Sequence, residues 1–247
     1  MVFPAVVASI TGNDASPGLT SHVITLPAFA PGNRVVVLFG GTASSSGNSH
    51  APLGWTTVTG NAFGGGSPFS FNVWDREMQG GDPATVTITS DVGENGSWIC
   101  YTIDGSVDSG QNNVVASGIS RFPDPTIFTP PWNALVIPTL WIAFYAAGEG
   151  ASNMTVWPLV DNQLYSRYTP GTPTVNLGMC SLPAFSGSLD PGSFTNNLSN
   201  GWLTHTMAYA DYIPNAGGGT DAFPARRNSD YRRMQRHQRH GMRRLIR

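Results

Sequence analysis

Apolar and polar residues alternate with a period of two along most of this chain. In 84–90, ATVTITS, Val86 and Ile88 fall on one face and Thr85, Thr87 and Thr89 on the other, as a half-buried strand requires. FSFNVW at 69–74 alternates in the same way, with Phe69, Phe71 and Val73 sharing a face. RVVVLF at 34–39 is apolar throughout and predicts a central strand. Further strands are predicted over 97–104, 133–146 and 201–213. Pro138 should break or bulge the second of these, because it cannot donate to a ladder. Turn-rich stretches separate the strands: GGTASSSGNS, GNAFGGGSP, DVGENG and SLDPGS. No amphipathic helix is predicted before residue 226.

Three landmarks recur in the same order. Asn33 with its apolar run matches Asn133 with its own, Asp82-Pro83 matches Asp190-Pro191, and Asn95-Gly96-Ser97-Trp98 matches Asn200-Gly201-Trp202. The spacings are 100, 108 and 105 residues. They predict two pseudo-repeats, 1–112 and 113–214, within one antiparallel sandwich of about ten or more strands. The alternative is that an all-β chain simply reuses the same turn residues.

Composition agrees with strands and turns. Only 11% of residues are charged, while the 247 residues include 29 Gly and 19 Pro. Seven Trp and twelve Phe supply a core and argue against disorder in the body. Cys100 and Cys180, far apart in apolar segments, are expected to be buried free thiols. The N-terminus has no basic stretch of a signal peptide, and the apolar run 134–147 is too short to span a bilayer. A soluble chain made in the cytoplasm, with no membrane partner, is expected.

Charge changes the picture most. The chain has no lysine, which excludes phosphate-loop, Schiff-base and kinase-type lysine chemistry. Residues 226–247 hold nine of the thirteen arginines against one acid, about +8, whereas 1–225 hold four arginines against fourteen acids, about −10. A Gly-rich linker, 215–225, separates the body, 1–214, from this Arg-rich arm, 226–247. Asn228, Ser229 and Asp230 could start a helix. Tyr231, Met234, Gln238, Met242 and Leu245 would then form one stripe, weakened by Gly241. Arg226, Arg227, Arg232, Arg233, Arg236, Arg239, Arg243, Arg244 and Arg247 surround it. With Tyr231, Met234, Met242 and Leu245 they form the candidate partner-binding set, suited to carboxylates or phosphates. A passive solubilising tail is the alternative.

Little in the body points to catalysis. His22, His50 and His205 are widely separated, and His205 in a strand is expected to be a satisfied packing residue. No zinc spacing, nucleophile elbow, dinucleotide fingerprint or calcium loop occurs, so no metal, cofactor or catalytic residue is assigned. Asp75 and Glu77, flanking Arg76, are expected at a solvated strand end. Asp104 and Asp108 are expected in a surface turn. Trp98, Trp141 and Trp202 are expected in the core. Trp55, in LGWTTV, is ambiguous: in an open groove with polar neighbours it would favour a carbohydrate-binding module.

Several phrases carry a family resemblance. PGNRVVVLF (31–39), PLGWTTV (52–58), FNVWDREM (71–78), DPATVTIT (82–89), SWICYTIDG (97–105), NALVI (133–137) and GWLTHTMAY (201–209) occur in this order. Over roughly residues 20–212 the chain resembles β-sandwich structural virion proteins of tailed bacteriophages and prophages. The resemblance implies a jelly-roll-like particle protein without enzymatic activity, located in the virion, and it brings no catalytic residues. It leads to a capsid decoration or cement protein, with a tail, adaptor or fibre component as the alternative. Partners would be capsid or tail subunits and further copies of the chain. The arm lies outside the resemblance, and only there could nucleic acid be met. A carbohydrate-binding module for host attachment and a glycan-processing enzyme are the readings from other classes.

Overall fold

Fourteen strands and no helix occur among the described residues of the computed structural model, which are 3–42, 49–63, 69–104, 113–120, 138–148, 154–168, 174–185, 194–196 and 202–210. Two antiparallel sheets form a β-sandwich. The first places β1 (Ala5–Asn13), β7 (Thr85–Asp104), β3 (Arg34–Thr42), β6 (Phe69–Glu77) and β5 (Thr56–Phe63) side by side in that order. The second places β8 (Asn113–Ser120), β14 (Trp202–Ala210), β9 (Pro138–Gly148), β12 (Val175–Phe185) and β11 (Asp161–Arg167) side by side. Short additions accompany each. β2 (Leu19–Thr25) and β4 (Ser49–His50) pair with the first half of β7, and β10 (Met154–Val156) pairs with β13 (Thr195–Asn196).

The second sheet repeats the first strand for strand. Thr11, Ile99, Leu38 and Val73 lie opposite one another across β1, β7, β3 and β6. Ser117, His205, Phe144 and Met179 do the same across β8, β14, β9 and β12, each 106 residues later. At the edge, Thr59 faces Val73 and Leu164 faces Met179, 105 residues later, each just past a break in register. The sequence landmarks, 100, 108 and 105 residues apart, scatter around this shift. Ladder residues must keep step, since a slip of one would turn every side chain to the wrong face.

Alternation then decides what each face buries. The sandwich interior takes Val36, Leu38, Phe71, Val73, Ile99 and Tyr101 from the first sheet, against Ile142, Phe144, Leu177, Met179, Met207 and Tyr209 from the second. The outer faces are also apolar. Val35, Val37, Phe39, Trp74 and Trp98 pack under Ile24 and Ile88 of the β2–β7 flap. Trp141, Ala143 and Tyr145 pack under Leu159 and Phe194. Trp98 and Trp141 are buried as expected, but in these outer layers; the side chain of Trp202 lies outside the described residues. Cys100 and Cys180 are buried free thiols on outer faces, and burial raises Cys180 to about 12.

Pro138 is the first described residue of β9, opposite Phe185; residues 133–137, across which a break or bulge is expected, lie outside the described residues. One expectation about strand limits is corrected. DVGENG is not a turn between two strands: β7 runs unbroken through it for 20 residues. Its first half pairs with β2 and its second half with β1 and β3, so the strand passes from the flap into the sheet. Glycine permits the passage. A Cβ on Gly93 would stand 2.6 Å from the Gly18 carbonyl oxygen, and one on Gly96 would stand 2.6 Å from Asp14 Oδ2.

Polar ties clamp the sheets together. The Tyr101 hydroxyl donates to the Met179 carbonyl at 3.0 Å and also meets the Asn162 carbonyl. Ser97 and Ser166 hydroxyls lie 2.7 Å apart, both within reach of the Gly12 carbonyl. Burial pushes the Tyr101 hydroxyl far above its ordinary range, so it remains a donor. Tyr101→Phe should cost about 1–2 kcal/mol, because it leaves buried carbonyls without their donor. Urea denaturation should show a lower midpoint with an unchanged slope.

Candidate functional site

An open cleft forms where the β4–β5 connection meets the end of β6 and the start of β7. Two tight turns build it. In Pro52-Leu53-Gly54-Trp55 the Trp55 N–H donates to the Pro52 carbonyl at 3.1 Å, and Gly54 has φ 81°. In Gln79-Gly80-Gly81-Asp82 the Asp82 N–H donates to the Gln79 carbonyl at 3.2 Å, and Gly81 has φ 92°. Both are turns with a positive φ at the third residue, the position where glycine is strain-free. The first turn presents Trp55, half-buried, with Leu53 beside it at 98% exposure. Leu26 and Met78 form an apolar floor, and the cleft holds about 230 Å³.

One rim is charged. Arg76, pointing from β6, donates through Nη2 to Asp82 Oδ1 at 2.7 Å, and Asp82 Oδ2 accepts the Gln79 N–H at 2.7 Å. Gly54 also makes room here, since a Cβ on it would stand 3.2 Å from Arg76 Nη1. Thr85 and Thr87, both exposed on β7, add hydroxyls to the lining. Trp55 therefore lies in an open groove with polar neighbours. The sequence singled out Trp55 but missed Arg76 and Asp82 as its companions. Two Gly-containing turns flanking one strand pair were the signal that they would meet.

A second cluster lies inside the fold, at the bend of β7. His22 alternates with Ile24 on the inward face of β2 and is fully buried. Its Nδ1 is 2.8 Å from Asp14 Oδ2, which also accepts the Gly96 N–H at 2.6 Å. Its Nε2 is 3.3 Å from Ser90 Oγ. The order Asp14–His22–Ser90 is that of an acyl-transfer relay, but the Ser90 hydroxyl donates to the Val92 carbonyl at 2.8 Å. That commits its proton to the backbone, so the trio acts as a joint holding the bend.

Glu94 sits beside this joint, 1% exposed, with Oε2 3.4 Å from the hydroxyls of Ser49 and Ser70. Burial is the main cause raising its pKa to about 7, and the Asp14 charge adds to it. His22 and the two serine hydrogen bonds work the other way. Glu94 also fills the space over Gly41, where a Cβ would fall within covalent distance of the carboxylate.

The remaining expectations have mixed outcomes. Asp75 is not at a solvated strand end. It is fully buried, with Oδ1 3.2 Å from Arg34 Nη1 and Oδ2 accepting the Tyr209 hydroxyl at 3.0 Å. Glu77, two residues on, is exposed. Asp104 is exposed and accepts from Asn33, while Asp108 is outside the described residues. His205 is a packing residue, but neither ring nitrogen has a hydrogen-bond partner among the described residues, and burial lowers its pKa to about 4. The candidate partner-binding set, Arg226, Arg227, Tyr231, Arg232, Arg233, Met234, Arg236, Arg239, Met242, Arg243, Arg244, Leu245 and Arg247, lies outside the described residues.

Among the described residues no three His, Cys, Asp or Glu side chains are grouped to hold a metal ion. No helix there is long and apolar enough to cross a membrane. No family model, curated protein or solved structure matches the chain.

Proposed function

We propose that this protein is a non-enzymatic structural component of a tailed-phage virion, a capsid decoration or cement subunit that docks through its Arg-rich arm. The observation that carries this reading is the division of charge: about −10 over 1–225 and about +8 over 226–247. A sparsely charged sandwich, tied across its interior, suits a rigid surface module. A tethered cationic arm suits attachment to acidic neighbours, including the bodies of other copies. Each contact would be modest, and tethering would raise the effective concentration of the rest.

Deleting 226–247 tests this directly. The truncated body should remain folded, because the arm follows a Gly-rich linker. Incorporation into particles should fall sharply, and the full-length protein's attachment should weaken with salt, since exposed arginine contacts are screened over roughly 8 Å at physiological ionic strength. If the arm met the genome, binding would follow a log–log salt slope of about −0.9 per phosphate neutralised. A truncated protein that assembles as well as the full-length one, at low and high salt, overturns the proposal. Copies per particle, from quantitative mass spectrometry, separate decoration from the tail, adaptor or fibre alternative.

A further inference from the structure

We propose that the Trp55 cleft binds a neutral saccharide, with one pyranose ring against the indole and its hydroxyls on the Arg76–Asp82 pair. The inference is independent of the arm and of where the protein sits in a particle. It rests first on the mixed lining of the cleft. Trp55, Pro52, Leu26 and Met78 supply apolar surface, and Arg76, Asp82, Thr85 and Thr87 supply a guanidinium, a carboxylate and two hydroxyls in the same cleft. A pyranose has the same division, with C–H groups on its faces and hydroxyls around its edge. An aromatic side chain from a protein partner would match the indole but would cover the ion pair without replacing its water.

Charge and size narrow the class. Arg76 and Asp82, 2.7 Å apart, cancel as a pair, yet between them they offer both donors and acceptors. The body around them is acidic, so a sialic acid or sugar phosphate would be repelled where a neutral hexose is not. The volume of about 230 Å³ suits one ring, below the roughly 300–1,000 Å³ of drug-sized sites. The cleft is also held ready by its two turns and by the Asp82 bonds to Arg76 and Gln79, so little ordering remains to be done on binding. Leu53, 98% exposed at the mouth, extends the apolar wall for a second ring.

The test uses the full-length protein and a panel of methyl hexopyranosides (gluco, galacto, manno and the N-acetylglucosamine glycoside). Saturation-transfer NMR would detect binding and tryptophan fluorescence would titrate it. At least one neutral glycoside should bind saturably. Trp55→Ala should weaken it by ~10-fold or more, Trp55→Phe should keep part of the affinity, and Arg76→Gln should weaken it by ~10-fold, as loss of a hydrogen-bonding partner predicts. Near-UV circular dichroism would establish that each variant keeps its packing; if Trp55→Ala does not, Arg76→Gln decides. The proposal is overturned if no glycoside of the panel binds, or if these variants bind like the wild type. It is equally overturned if N-acetylneuraminic acid, or a tyrosine-bearing peptide, occupies the cleft in preference to the neutral sugars.

Discussion

Glu94→Gln should stabilise the protein at pH 8 by on the order of 3 kcal/mol relative to its effect at pH 4. The folded carboxyl titrates at about 7, against 4.5 when unperturbed. Between those values the folded state holds a proton that the unfolded state has released. Stability from this group is therefore complete below about 4.5 and is lost as pH rises through about 7. Glutamine imitates the protonated form and cannot lose it. His205 works in the opposite sense. Its folded pKa of about 4 lies below the ordinary 6.5, so stability is lost as pH falls through that interval. The two slopes offset each other in the wild type, and the difference between wild type and variant is the quantity to measure. Urea denaturation of both across pH 4–8 should give curves that diverge as pH rises. A constant difference would mean that Glu94 is not a buried acid in solution.

Arg34→Leu should destabilise the protein by roughly 3–5 kcal/mol, because it removes the countercharge of the buried Asp75 carboxylate. Asp75 is fully buried, and Arg34 is its cationic partner. The repeat supplies the control. Leu140 and Ser181 occupy the positions of Arg34 and Asp75 in the second sheet, each 106 residues on. The double variant Arg34→Leu/Asp75→Ser should therefore recover most of the loss, since a buried ion pair seldom outperforms neutral residues that fit. Thermal and urea melts of the single and double variants check this. If the single variant is as stable as wild type, the pair is solvated or Asp75 is held by other groups.

The alternation in 69–74 and 84–90 made these strands and their buried faces legible, because a strand's side chains obey a period that local sequence records. The repeat was legible only approximately. Its sequence landmarks drift by several residues, while the ladder positions that keep a constant shift carry different residues, such as Ile99 and His205. Period two put Asp75 and Glu77 on one face, but their fates differ: Asp75 is buried against Arg34 and Tyr209, whereas Glu77 is exposed. DVGENG looked like a turn because its glycines resemble turn residues. They in fact allow the backbone of β7 to pass against Gly18 and Asp14.

By itself, then, the sequence determined the all-β class, the buried faces of 69–74 and 84–90, the buried thiols and the division of charge between 1–225 and 226–247. Each follows from composition or from the spacing of neighbours along the chain. Tertiary structure decided which polar groups meet. Asp14, His22 and Ser90 span 76 positions, and Arg34 reaches Asp75 and Tyr209 only when two sheets close face to face. Arg76, Asp82 and Trp55 become one cleft only because two turns fold toward each other. Contacts of that kind depend on register and on sheet order, which no short stretch of residues encodes.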